Sequence, residues 1–232
     1  MKHLKPFLWS YMIIVLIELI VVDNPELLSY RFISKPLIMV SMIIFFLLQK
    51  VDRKTRIFVS TALFCSLIGD LLLIYDEIYE SLFYGGLLAF FTTHLMYAIQ
   101  FSRSRNKELG IIAPTLVLFF YAASVYLYLH DSLNDFAIPV AIYISAHLIM
   151  ILFAYLRNDS LTNNSYIYVL SGTFLFMFSD SILAITRFKS DIPFSRILVM
   201  AFYSSAQLLV IVGILKGALN TKMKNLQDEY SI

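Results

Sequence analysis

The sequence predicts an all-α fold, a polytopic membrane protein built as a bundle of eight transmembrane helices with N and C termini cytoplasmic. Three observations carry this. The 232 residues are 59% hydrophobic and only 15% charged, where soluble domains carry about 25% charged residues. Apolar stretches long enough to cross a bilayer recur along the chain, approximately over 7–22, 33–49, 57–75, 79–102, 110–129, 137–156, 165–186 and 195–217. Basic residues cluster in alternate connections: Lys2 and Lys5, then Lys50, Arg53, Lys54 and Arg56, then Arg103, Arg105 and Lys107, then Arg157, then Lys216, Lys222 and Lys224. The positive-inside rule puts these ends in the cytoplasm. The connections over 76–81 (Asp76, Glu77, Glu80) and 130–136 (Asp131, Asp135) carry acids and no Lys or Arg, as the opposite side should. The loops leave no room for a soluble module, so one integral domain over 1–232 is expected, with any activity built from the bundle and its mouths.

Taken in order, the first stretch follows basic residues as a signal peptide would. It contains Glu18 and lacks a small-residue cleavage site, so a retained helix is expected. The second opens with SKPL at Lys35 and Pro36. The third runs through SLIGDLLLI with Asp70, and the fourth through LAFFTTHLMY with His94 and Tyr97. The sixth reads PVAIYISAHL with Pro139, Tyr143 and His147. The seventh contains MFSDSILAI with Asp180, and the eighth MAFYSSAQLL with Tyr203 and Gln207. Pro6, Pro36, Pro114, Pro139 and Pro193 fall at or near helix starts, where the missing N–H is tolerated, so the helices should be largely continuous. The third and seventh stretches resemble each other, as do the fourth and eighth, at offsets near 103 to 112 residues. A tandem four-helix duplication would make Asp70 and Asp180 pseudo-symmetric partners facing one cavity.

The two aspartates are the chemical core of this reading. A carboxylate inside the bilayer costs roughly 2.5–3.5 kcal/mol even on the gentlest insertion scale, so one is kept where a partner, a cavity or a reaction offsets it. Each follows a small residue, Gly69 or Ser179, which permits close helix approach. His94 shares a helical face with Phe90, Phe91 and Tyr97, and beside two buried acids it is a candidate functional group. His147 is more readily an interhelical hydrogen bonder. Tyr203 and Gln207, one turn apart, present a hydroxyl and an amide on one stripe. Glu18 has no local basic companion and is assigned no role. Lys35, Arg187, Lys189 and Arg196 lie on the predicted outer side, against the positive-inside trend. Such a cluster can hold a lipid phosphate or simply snorkel to headgroups, and Lys35 is the best placed of the four.

Other chemistries find little support. One cysteine, Cys65, rules out an intrachain disulfide and CxxC metal binding. Four histidines without HxxxH or HxH spacing give no metal signature, and no metal or cofactor is expected, although a carboxylate and histidine site assembled across helices stays open. There is no GxSxG elbow for acyl transfer.

Taken together, SKPL at Lys35 and Pro36, GD at Gly69 and Asp70, FYGGLLAFFTTHLMY with Phe83, Gly86, Phe90, His94 and Tyr97, Pro139 and Tyr143, Gly172, Phe176, Ser179, Asp180 and Phe188, and Tyr203, Gln207 and Gly213 form an ordered set. This set resembles the YhhN-like family of integral membrane proteins, whose characterised members are lysoplasmalogenases. The resemblance covers most of the chain from the second helix onward and gives no role to Glu18 or His147. It implies hydrolysis of the sn-1 vinyl ether of lysoplasmalogen, releasing a fatty aldehyde and glycerophosphoethanolamine or glycerophosphocholine. It also implies a pocket in which Asp70 and Asp180 divide the acid and base roles, in either order. His94 would orient or relay a proton, Tyr97, Tyr203 and Gln207 would position water or glycerol hydroxyls, and Lys35 would meet the phosphate. The expected partners are a lysophospholipid substrate and membrane lipids, with no nucleic acid and no obligate protein partner evident. The expected location is the cell membrane, taken as a bacterial cytoplasmic membrane. The alternative reading is a proton-coupled carrier or lipid transporter, since buried acids also make proton relays. A third is a scaffold whose acids are structural.

Overall fold

Long apolar sequences without internal breakers form helices here because a helix satisfies every backbone group within its own segment. The computed structural model describes residues 1, 3–75, 79–157 and 163–230, with the side chains of 80, 163 and 220–230 outside the description. The expectations resting on Lys2, Asp76, Glu77, Glu80, Lys222 and Lys224 therefore lie outside the described residues or side chains. In chain order the elements are α1 (Leu4–Asp23), a 3₁₀ turn (Pro25–Tyr30), α2 (Arg31–Leu47), α3 (Arg53–Leu72), α4 (Glu80–Ser102) and α5 (Ile112–Leu133). A second 3₁₀ turn (Asn134–Phe136), α6 (Ala137–Tyr155), α7 (Asn163–Phe188) and α8 (Ser195–Tyr230) complete them. No strand occurs among the described residues.

Among the described residues, seven stretches are long and apolar enough to cross a membrane. One of them, Ile112–Tyr155, takes in 44 residues and both α5 and α6. Between those two helices Asn134 adopts φ 44°, a conformation that asparagine tolerates better than most residues, and the helices then pack against each other. The outer faces are apolar, with Trp9, Leu16, Phe120, Leu127 and Ile138 all exposed. A surface of this kind belongs in lipid, and the chain is a multi-pass membrane protein.

Proline placement departs from expectation once. Pro6, Pro114 and Pro139 are the third residues of α1, α5 and α6, within the first turn, whose N–H groups lack intrahelical partners anyway. Pro36 instead lies inside α2, which starts at Arg31. The preceding 3₁₀ turn, opened by Pro25 and capped by Asn24, leads directly into the helix and moves its start earlier than the apolar run suggests.

Packing is closest between α7 and α8, then between α3 and α4, and α4 with α6 joins the two halves of the chain. Gly172 makes the first of these possible: a Cβ there would stand 2.9 Å from the Ala206 carbonyl oxygen and 3.0 Å from the Val210 nitrogen. The core between the helices contains Met39, Met42, Phe46, Leu63, Phe101, Phe176 and Val210. At the start of α3, the Asp52 carboxylate accepts from the Thr55 N–H at 3.1 Å and from Arg103 Nη2 of α4 at 2.9 Å. Partial burial pushes the Asp52 carboxyl up, but the bonds from Thr55 and the Arg103 guanidinium outweigh it and hold the pKa down at about 2.

Candidate active site

Between the helices lies a cavity of about 550 Å³ that both Asp70 and Asp180 line. This is within the usual range for ligand sites. The two carboxylates are held quite differently.

Asp70 sits near the end of α3 and is 1% exposed. Its Oδ2 accepts from the Tyr203 hydroxyl of α8 at 2.7 Å, and its Oδ1 faces Lys35 Nζ of α2 at 3.4 Å. Gly69 beside it makes room for the Phe90 ring of α4, which a Cβ there would approach to 2.7 Å and displace. Such a buried pair avoids the cost of two desolvated charges when it is neutral: the carboxyl can carry its proton on Oδ1, facing the Lys35 amine, while Oδ2 accepts from Tyr203.

Asp180 on α7 gathers donors at a single oxygen. Oδ2 accepts from the Tyr143 hydroxyl at 2.5 Å, lies 3.0 Å from His147 Nδ1 and 3.4 Å from His94 Nε2. The Tyr143 hydroxyl also meets His94 Nε2 at 2.9 Å. Tyr143 and His147 come from α6 and His94 from α4, so three helices converge on one carboxylate. With Tyr143 donating to Asp180, the His94 N–H can only sit on Nε2 to complete the ring of bonds, and His147 donates from Nδ1. All these donors crowd one oxygen, which leaves Oδ1 as the freer edge of a side chain that is 17% exposed.

The nitrogen and oxygen atoms of His94, His147 and Asp180 lie within 4.8 Å of one another, a donor set that can hold a divalent ion. Two features fit a hydrogen-bonded network better. The facing atoms are already paired through Tyr143 and Asp180, and the outward nitrogens, His94 Nδ1 and His147 Nε2, are buried without a hydrogen-bond partner among the described residues. A metal-bound imidazole ordinarily donates from that outer position to an acceptor.

The remaining expected residues are distributed as follows. Tyr203 and Lys35 stand on Asp70, and His94 stands on Asp180. Tyr97 and Gln207 are both wholly buried and are not among the cavity's lining residues. The Tyr97 hydroxyl donates to Gln207 Oε1 at 2.7 Å, and Gln207 Nε2 donates to Ser66 Oγ at 3.0 Å. These bonds tie α4, α8 and α3 together. Arg187 and Arg196 line the cavity, whereas Lys189 packs over the Tyr128 ring. Glu18, which lacked a partner in its own helix, finds Arg31 Nε at 3.1 Å and Ser34 Oγ at 2.5 Å across α2.

Sequence reasoning set His147 aside and gave Tyr143 no role, yet both hold Asp180. The available signal was their spacing: Tyr143 and His147 are four residues apart and so occupy one helical face. Arg31 was missed because it falls in what reads as a polar connection before the second apolar run.

The bundle and its cavity define a multi-pass helical membrane protein with a buried site of carboxylates, imidazoles and tyrosines. The model of the YhhN family matches residues 30–214, and the chain belongs to the YhhN family. It is similar to lysoplasmalogenase TMEM86B of Mus musculus, 28% identical over 216 residues, covering 93% of this chain and 88% of that protein. It is also similar to lysoplasmalogenase TMEM86B of Rattus norvegicus (31% over 156 residues, 67% of this chain and 60% of that protein) and of Homo sapiens (32% over 158 residues, 67% and 62%). No solved structure matches.

Proposed function

We propose that this protein hydrolyses the vinyl-ether bond of lysoplasmalogen, the 1-alkenyl glycerophosphoethanolamine or glycerophosphocholine, to a fatty aldehyde and the glycerophospho base. The observation that carries the reading is the pair Asp70 and Asp180 lining one cavity, in a chain whose relatives are named lysoplasmalogenases.

The chemistry suits two carboxyl groups in distinct settings. Protonation of the enol-ether carbon remote from oxygen makes an oxocarbenium ion, and water then adds at the carbon bearing the oxygen. The hemiacetal so formed collapses to aldehyde and alcohol. One carboxylic acid must give the proton and one carboxylate must steady the cation or take a proton from water, as in two-carboxylate glycosidases. Asp180 receives more donors and is assigned the anionic role, with Oδ1 turned to the water. Asp70 is assigned the acid. When the hemiacetal collapses, its hydroxyl proton returns to Asp70, and the proton taken from water passes from Asp180 to the departing glycerol oxygen. Tyr143, His147 and His94 keep Asp180 in place. Lys35 and Tyr203 keep Asp70 in place, and Tyr97 with Gln207 hold α4 against α8 so that His94 and Tyr203 keep their register.

Within the same reading, α1 to α8 are eight crossings with both termini cytoplasmic, built as two similarly oriented four-helix halves in a bacterial cytoplasmic membrane. The direct test incubates detergent-purified protein with lysoplasmenylethanolamine and with matched 1-acyl and 1-alkyl lysolipids, following products by mass spectrometry. Aldehyde from the vinyl ether alone is the expected result. Flux of lipid across proteoliposomes without cleavage would replace it with the carrier reading.

A further inference from the structure

The Arg31 side chain is held in an unusual way. Its Nε donates to Glu18, a carboxylate that is 0% exposed and whose other oxygen accepts from Ser34. The two Nη groups make no hydrogen bond among the described residues, and the side chain lines the cavity, 20% exposed. Guanidinium groups bind phosphate through two parallel N–H bonds, and Arg31 presents a pair of unengaged donors whose plane is fixed from behind by a buried acid.

Three further observations agree. Arg187, in the last turn of α7, and Arg196, in the first turn of α8, line the same cavity, opposed there by Asp191. Lys35, the residue the sequence favours for an anion, stands on Asp70 instead. Arg31 and Lys35 are four residues apart on α2, so their backbone positions lie about one helical turn, ~5.4 Å, apart along one face, and both side chains line the cavity with Asp70. The three glycerol carbons of a lysolipid separate its phosphate from its sn-1 oxygen by a similar length.

We infer that Arg31, set by Glu18 and flanked by Arg187 and Arg196, is the subsite for the phosphodiester of a single-chain lipid. A phosphate seated there places the sn-1 linkage beside Asp70 and sends the chain on into the apolar part of the cavity. Glu18 acts through Arg31 as a positioning residue. The inference names the headgroup site of the function proposed above and rests on that reading for the identity of the lipid, but its test needs no turnover.

Binding is measured on the purified full chain with a non-hydrolysable 1-alkyl lysophospholipid, the matching 1-alkylglycerol that lacks phosphate, and inorganic phosphate as competitor. Wild-type protein is expected to prefer the phospholipid over the alkylglycerol by about tenfold or more. Arg31→Gln should abolish most of that preference, and Arg31→Lys should restore only part, because an ammonium lacks the fork. Glu18→Gln should weaken the preference, and with a vinyl-ether substrate it should raise KM more than it lowers kcat. Equal binding of the two lipids by wild type overturns the subsite without any variant, even if Arg31→Gln does not fold. An undiminished preference in Arg31→Gln overturns it as well, and inorganic phosphate that displaces the lipid at equal concentration overturns the lipid assignment in favour of a free anion. Phospholipid preference without aldehyde formation would instead defeat the hydrolase reading and leave the subsite standing.

Discussion

Asp180 shows how a charge is tolerated in this bundle: a tyrosine and two histidines from two other helices meet one of its oxygens. Removing either aspartate should therefore be read through activity and stability together. Asp70→Asn and Asp180→Asn are each expected to lower kcat by about 10²–10⁴-fold, the range for loss of an acid or base, with the protein still folded by thermal melting. Near-normal aldehyde formation in both would sink the two-carboxylate mechanism. Tyr143→Phe is subtler, since it deletes one donor and leaves Asp180 and His94 each short of a bond. A fall in turnover of about tenfold or more is expected, with a stability cost of about 1–3 kcal/mol that a denaturation series in detergent would register.

At the level of helices, small residues and end contacts decide the packing. Gly172→Ala would drive a methyl against the α8 backbone, so α7 and α8 would have to separate. A cost of about 1–3 kcal/mol is expected, while Gly110→Ala, with nothing within 4 Å of its Cβ, should melt like wild type. The cap at α3 gives a pH signature. Asp52 has a pKa lowered from 3.8 to about 2 in the folded chain, so its charge stabilises the fold above the ordinary value, and that contribution is lost as pH falls through the folded one. The side chain is 51% exposed, and screening limits the effect to at most about 1 kcal/mol. Asp52→Asn should melt slightly below wild type at neutral pH, and the gap should close as pH falls from about 4 towards 2. A gap that persists there would assign the effect to something other than charge.

Taken as a whole, the molecule turns apolar side chains outward and encloses its polar ones, the inverse of a water-soluble domain. Eight crossings with cytoplasmic ends require the α5–α6 connection to face away from the cytoplasm and the α4–α5 connection to face it. Alkaline phosphatase fused after Asp131 should be active and after Asn106 inactive in a bacterial host. The reverse pattern would invert the proposed orientation and turn the Arg187 and Arg196 side of the cavity to the other leaflet.

The helices were legible in the sequence because a bilayer demands long apolar segments, and composition alone reports them. The same physics marked Asp70 and Asp180, since an acid in such a segment is costly wherever it points. Partnership was not legible. Tyr203 stands 133 residues from Asp70 and Tyr143 37 from Asp180, and only helix packing brings them within hydrogen-bond reach. Packing also supplied partners that the sequence did not name: Asp70 for Lys35, Gln207 for Tyr97, Arg31 for Glu18 and Asp180 for His147. The sequence by itself determined which segments must be helices and which charges must be accounted for, because those follow from local transfer costs. Only the tertiary structure decided which polar groups answer one another, because that depends on the directions in which neighbouring helices present their side chains.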